Sequence, residues 1–218
     1  MELKAIEHAS TYIIQSQEEE IKRIALELHE GISQNLYSLY TGLEFLQSGI
    51  NQPDLQGYAK EMSTLLSRTI QEVRLLSVEL YPSTLKTLGI FAALKSYIKL
   101  FISTFGVIIH VESQGEEREL TEHKSLAVFR TCQEALINIA KYADTSEATL
   151  SFTWEEKTLK IDIKDKGIGF DLQKAIETNS FKGIAAMKQR MFIVGGDVHL
   201  SSGKGKGTNI SIVLPIQE

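Results

Sequence analysis

Between Glu18 and Gly49 apolar residues recur at Ile21, Ile24/Ala25, Leu28, Ile32, Leu36, Leu39, Leu43 and Leu46. These alternating steps of three and four place them on one narrow stripe of a single long helix. Gly49 followed by Asn51-Gln52-Pro53 supplies the stop, because glycine accepts left-handed dihedrals and proline cannot continue a helix. A second stripe runs through Leu55, Tyr58/Ala59, Met62, Leu65/Leu66, Thr69/Ile70, Val73, Leu76 and Leu80, with Asp54 expected as the N-cap and Tyr81-Pro82 as the end. The pattern predicts a helical hairpin. Two helices alone leave much of both stripes in water, and each buried Leu or Ile contributes roughly 1.5–3 kcal/mol. The hairpin is therefore expected to pair with a second copy as a dimeric four-helix bundle. Gly31 and Gly42 lie inside the first helix at about 1 kcal/mol each relative to alanine, so a close approach or local bend is expected near them.

After Pro82 the patterning becomes mixed. A helical stretch from Ile90 to Phe105 precedes a strand-like Val107 to Glu112 and a helix from about Thr121 to Ala143. Alternation then predicts a hairpin of Ala148 to Trp154 and Thr158 to Asp165, and another of Asp197 to Ser201 and Asn209 to Leu214, with a helix from Lys182 to Val194 between them. Such a series builds an α+β sandwich, an antiparallel-leaning sheet with helices on one face. The expected organisation is a linker helix over residues 1–17, the helical hairpin over 18–82 and the α+β sandwich over 83–218.

Composition narrows the function classes. With 43% hydrophobic and 23% charged residues the chain reads as folded and globular. A net charge of −5 without a Lys/Arg run argues against a nucleic-acid or anionic-membrane surface, which leaves proteins and small ligands as partners. No apolar run approaches the roughly 20 residues that cross a bilayer, and the start MELKAIEHAS lacks the layout of a signal peptide, so the chain is expected to be cytoplasmic with no direct membrane contact. Cys132, the one cysteine, sits in a helical pattern and reads as a buried structural thiol.

The first helix carries Leu28-His29-Glu30-Gly31-Ile32-Ser33-Gln34, in which Glu30 and Gln34 lie one turn apart beside the His29 imidazole. Taken alone, a histidine on a charged helix is ordinary solvated surface. In the second half, Glu134, Asn138 and Lys141 stand at i, i+4 and i+7 of one helix face, lining up a carboxylate, an amide oxygen and an ammonium. That face suits a hydrated Mg²⁺ beside a phosphate chain, although a solvated face reads the same way. The run Asp165-Lys166-Gly167-Ile168-Gly169-Phe170 follows a strand, and its glycines let backbone approach a flat ligand while Asp165 offers an acceptor to an amino group. Gly203-Lys204-Gly205-Lys206-Gly207-Thr208 reads equally as a hairpin turn, and it is neither a Walker loop nor a dinucleotide fingerprint.

Taken in order, IALELHEGISQ, QEALINIAKYA, DKGIGF, and GIAAMKQR through GKGKGT resemble the H-box, N-box and two glycine boxes of bacterial sensor histidine kinases of the NarL-linked class. The likeness covers about Ile21 to Pro215, and Glu79 to Ile90 resembles the family's link between its two domains. It implies a dimerisation and histidine-phosphotransfer domain over 18–82 and a catalytic domain of the Bergerat (GHKL) ATPase fold over 83–218. It further implies that ATP phosphorylates His29, that Asn138 binds Mg²⁺ with Glu134 nearby, and that Asp165 reads the adenine amino group. Gly167, Gly169, Gly183 and Thr208 would frame the nucleotide, with Lys141 near the phosphates. Glu30 accepting a ring N–H would leave the other His29 nitrogen as nucleophile. Gln34 stands where the family has an amide that orients water for dephosphorylating a partner, so phosphatase activity is expected beside the kinase. The implied partners are a second copy of the chain and the receiver domain of a LuxR-type response regulator. The sequence departs from the usual boxes at Glu30, where Asp is more common, and at Tyr142, where His is common. About 20 residues precede the H-box, too few for a sensor, so the chain is expected to be the cytoplasmic part of a longer, membrane-anchored or soluble protein. Two other readings stay open: a scaffold or phosphotransfer protein with a degenerate ATP site, and a serine kinase or ATPase sharing the pocket.

Overall fold

The computed structural model describes residues 2–171 and 182–216, which fall into two compact units, Met1–Ser83 and Thr84–Glu218. In the first unit one continuous helical rod comprises α1 (Glu2–Leu26), a π-helical turn (Glu27–Ile32) and α2 (Ser33–Ser48). It folds back through Gly49 onto α3 (Pro53–Leu80). Pro53 takes the first helical position and Gln52 the N-cap, so Asp54 sits within the first turn rather than capping it. Proline's fixed φ pre-sets the helix start, and an acidic residue there is favoured by the helix dipole, so Asp54 acts through charge rather than as a cap.

The most buried positions of the hairpin are mainly small residues. Ala25 and Ser33 from the rod, and Ala59, Ser63, Ile70 and Ser77 from α3, are buried. Of the expected stripes, Leu28, Leu36, Leu43, Leu66 and Val73 are half-buried, while Leu39, Leu46, Tyr58 and Leu65 are each more than half exposed, as is Phe45 outside them. The wider π-helical turn slips the register between α1 and α2 relative to a continuous α-helix.

The second unit begins with α4 (Thr84–Phe105), in which Gly89 is non-helical at φ 80°, ψ 177°, leaving Ile90 to Phe105 as the continuous stretch. An 18-residue window of α4 reaches a mean hydropathy of 1.4, apolar enough by composition to cross a membrane, although the break at Gly89 leaves a shorter continuous helix. Its apolar face instead packs on α5 (Glu122–Asn138), where the Tyr97 and Phe129 rings meet edge to face at 5.5 Å. Thr121 caps α5, its side chain accepting from the Lys124 N–H, and α5 runs on into a second π-helical turn, Ile139–Ala143.

Five strands follow the order β1-β2-β3-β5-β4: β1 (Ile108–Gln114), β2 (Glu147–Trp154), β3 (Thr158–Asp165), β4 (Asp197–Ser202) and β5 (Thr208–Pro215). β1 runs parallel to β2 and the other pairs are antiparallel, so the sheet is mixed. The parallel pair follows from the α5 crossover, which is long enough to return the chain to the same end of the sheet. Facing rows such as Phe152, Ile161 and Ile212 are buried, while Thr153, Lys160 and Asp162 alternate outward. Helices α4, α5 and α6 (Lys182–Ile193) cover the apolar face, with the Phe91 ring set edge-on to Phe152 at 5.2 Å. This is the helical hairpin followed by an α+β sandwich that the patterning predicts.

Candidate functional site

A cleft of about 890 Å³ opens between the end of α5, the β3 terminus and the start of α6. Apolar side chains including Ile139, Ile163, Phe170 and Ile210 form most of its wall, and among them stand Glu134, Asn138, Lys141, Asp165 and Thr208. An apolar slot with few, converging polar groups is the usual form of a small-molecule site. Of the residues singled out in this half, Glu134, Asn138, Lys141, Asp165, Gly169, Gly183 and Thr208 all line the cleft, and Gly167 is buried beside it.

Asp165 closes β3 and is 7% exposed. Its Oδ1 accepts the N–H of Gly167 at 2.9 Å and of Thr208 at 3.2 Å, so one carboxylate ties the first glycine box to the second. With Oδ1 so held, Oδ2 is the oxygen left to meet a ligand amino group. The glycines permit this closeness. A Cβ at Gly167 would overlap the Ala143 carbonyl, which accepts the Ile168 N–H at 2.8 Å. Gly169 and Gly207 have positive φ (56° and 70°), and a Cβ on either would overlap backbone carbonyls of the opposing loop. Gly205 N–H donates to the Ile168 carbonyl at 2.6 Å, so GKGKG is both the β4–β5 hairpin loop and a wall fastened to DKGIGF.

At the cleft mouth Asn138 Nδ2 donates to Glu134 Oε1 at 3.5 Å, so the amide and the carboxylate stand side by side. Gly183, second residue of α6, lies so close to Glu134 that a Cβ would overlap its carboxylate. Carboxylates are favoured at a helix N-terminus by the dipole, and the glycine makes room for that approach. Among the described residues no group of three or more His, Cys, Asp or Glu could hold a metal ion. One carboxylate and one amide oxygen nevertheless fit a hard cation that takes its remaining ligands from water and phosphate. Lys141 and Tyr142 are exposed on the π-helical turn, whose widened geometry swings them outward while Ile139 and Ala143 remain buried. Cys132 lies fully buried in α5, and burial pushes its thiol well above the usual range, which makes it an inert packing group.

The helical hairpin carries the other candidates. His29 sits in the middle of the first π-helical turn with its side chain exposed, and Glu30 and Gln34 are exposed as well. Among the described residues no hydrogen bond joins His29 to Glu30. The ring's Nδ1 instead lies 3.3 Å from Oγ of Ser77 on α3, because the hairpin register sets that serine opposite the turn. Ser33, at the turn's end, directs both its N–H and its Oγ to the Leu28 carbonyl, the latter at 2.9 Å.

Sequence reasoning passed over Ser77 and Ser202. Ser202 Oγ accepts the Phe170 N–H at 3.0 Å and donates to the Gly207 carbonyl at 3.0 Å, locking both glycine loops. Its only sequence signal is a serine at the strand end before a glycine-rich loop.

Comparison with known proteins agrees with this arrangement. Residues 20–85 match a family described as Histidine kinase, and residues 123–218 match Histidine kinase-, DNA gyrase B-, and HSP90-like ATPase. The oxygen sensor histidine kinase NreB of Staphylococcus carnosus (strain TM300) is 33% identical over 205 residues, which span 94% of this chain and 59% of NreB. The fold is similar to the histidine kinase domain of the Erythrobacter litoralis EL346 blue-light activated histidine kinase (TM-score 0.52, 15% identity, 84% of this chain and 94% of that domain). A longer form of the same kinase aligns at a TM-score of 0.51 and 19% identity, over 90% of this chain and 60% of its own. The chain belongs to the sensor histidine kinases of the NarL-linked class, and its C-terminal unit has the ATPase fold they share with gyrase and Hsp90.

Proposed function

We propose that this chain is the catalytic core of a two-component sensor: it transfers the γ-phosphate of ATP to His29 and passes it on to an aspartate of a response-regulator receiver domain. The observation that carries the reading is the Asp165 carboxylate, buried at the floor of an apolar cleft whose mouth holds Glu134 and Asn138. Adenine suits such a slot, since its flat face is apolar and its amino group donates to a carboxylate. Glu134 and Asn138 would hold Mg²⁺, which when bound neutralises charge on the phosphates. Lys141 is exposed on the same rim and is the cation assigned to the phosphate chain.

His29 supplies the nucleophile. Its Nε2 lone pair bonds to the γ-phosphorus as the bond to the β,γ-bridging oxygen breaks, and ADP leaves with that electron pair. Glu30, next in the chain and exposed, receives the ring proton released after transfer. Such transfer rests on in-line placement and charge neutralisation more than on a strong base. Gln34, exposed one turn on, is the amide assigned to water in the reverse task, hydrolysis of the receiver's acyl phosphate.

Two copies of the chain complete the hairpin. Leu39, Phe45, Leu46, Tyr58 and Leu65 are exposed on the two helices of the hairpin. Large apolar residues left in water in this number fit an interface, and a dimeric four-helix bundle would bury them.

Incubation with γ-labelled ATP and Mg²⁺ tests the reading. Label stable to alkali and labile to acid is expected on the chain, and acid-stable label or none would overturn it. For Gln34→Ala, autophosphorylation is expected at the ordinary rate with dephosphorylation of the receiver slowed. An unchanged dephosphorylation rate would remove Gln34 from that step.

A further inference from the structure

Within the reading above, we infer that Ser77 is a positioning residue for His29: its hydroxyl takes the Nδ1–H, holds the ring and leaves Nε2 bare and outward. Three observations carry this. The Nδ1–Oγ separation is 3.3 Å across 48 residues of chain, so the contact is a product of the hairpin register and not of local helix geometry. Ser77 is buried at 3% exposure while the imidazole is exposed, so the serine is the fixed member of the pair and the ring is the member it restrains. The π-helical turn that carries His29 is closed at its far end by Ser33, whose hydroxyl and N–H both go to the Leu28 carbonyl, the residue before His29. Single π-helical turns inside longer helices gather at functional sites, and here the turn brings one imidazole edge onto α3.

The chemistry gives the contact its meaning. A neutral imidazole carries one proton, and the hydrogen bond made by one ring nitrogen decides the state of the other. A hydroxyl oxygen has two acceptor lone pairs and a proton that rotates to suit, so Ser77 can receive the Nδ1–H. The tautomer so selected has its lone pair on Nε2, the nitrogen turned from α3, which is the one able to bond to phosphorus. Glu30 does not fill this role in the resting protein, because no hydrogen bond joins it to the His29 ring among the described residues. After the P–N bond has formed the proton left to lose is on Nδ1, so Glu30 takes it only once the ring has turned from Ser77.

The test combines a spectrum with a rate. Nitrogen-15 spectra of the histidine-labelled chain, taken where the ring is neutral, are expected to show His29 protonated on Nδ1 and bare on Nε2. Ser77→Ala, which keeps the helix and nearly the same volume, is expected to shift the ring toward the Nε2–H form. It should slow labelling of His29 about tenfold at saturating ATP, the scale of one lost hydrogen bond, with the KM for ATP unchanged. Ser77→Thr retains a hydroxyl and is expected to restore both readouts. Wild-type His29 protonated on Nε2, or Ser77→Ala labelling at the wild-type rate, would overturn the inference. Absence of label in the wild-type chain would instead overturn the kinase reading, and the spectra would still decide whether Ser77 sets the tautomer.

Discussion

His29→Ala is expected to abolish labelling from γ-labelled ATP with nucleotide affinity unchanged, and Asn138→Ala to abolish it through loss of Mg²⁺-dependent nucleotide binding. The two substitutions separate acceptor from donor. His29 is exposed and its ring makes a single hydrogen bond among the described residues, so removing it leaves the Ser77 hydroxyl without that partner, at about 1–3 kcal/mol. That is a modest stability effect in a unit with no share in the cleft residues. Asn138 lines the cleft beside Glu134, and alanine there deletes the one amide oxygen offered to the cation. Equilibrium binding of a fluorescent nucleotide, with and without Mg²⁺, distinguishes them. Residual label in His29→Ala would place the phosphate elsewhere, and full Mg²⁺-dependent binding in Asn138→Ala would free that residue from the cation.

Gly167→Ala is expected to damage the nucleotide site severely. The added Cβ would overlap the Ala143 carbonyl, which is backbone and cannot rotate aside. Relief requires parting the Ile168 N–H from Ala143 or the Gly167 N–H from Asp165, the two bonds that join the N-box turn, the carboxylate and the glycine loop. Overpacking of this kind costs about 1–3 kcal/mol, and displacement of Asp165 adds to it, so nucleotide affinity should fall by roughly ten- to a hundredfold. Gly203→Ala is the matched control within the same loops. Its φ is not positive and a Cβ there would meet only the flexible Lys206 side chain, at 3.4 Å, so affinity should barely change. Equal effects in titrations of the two variants would mean that packing against Ala143 does not hold the site together.

Much of this was legible in the sequence, for identifiable reasons. The stripes from Ile21 to Leu46 and Leu55 to Leu80 carry helical periodicity over many turns, and the alternation in β2, β3 and β5 matches rows that the structure buries. Seven of the eight residues proposed for nucleotide binding line one cleft because N-box and glycine boxes each sit at an element's end, where loops meet. Other features leave no such trace. Both π-helical turns, Glu27–Ile32 and Ile139–Ala143, fall in motif segments, yet a one-residue slip in helix register has no compositional signature beyond Gly31 in the first. Around the first of them, Ala25 of the expected Ile24/Ala25 step and Ser33 are buried, whereas Ile24 and Ile32 are exposed. Asp54 reads as a cap by type, but Pro53 before it moves the boundary back. The pairing of Ser77 with His29 depends on how α3 slides against the rod, a quantity set by packing along the whole hairpin and by no local motif.

Locating the phosphate decides whether the two units work together as proposed. After incubation with ATP and Mg²⁺ and an alkaline quench, fragmentation mass spectrometry of the peptides covering Glu18 to Gly49 should find phosphate on the His29 ring. Phosphate confined to a serine or threonine, or a phosphorylated chain whose His29 peptide is unmodified, contradicts the transfer.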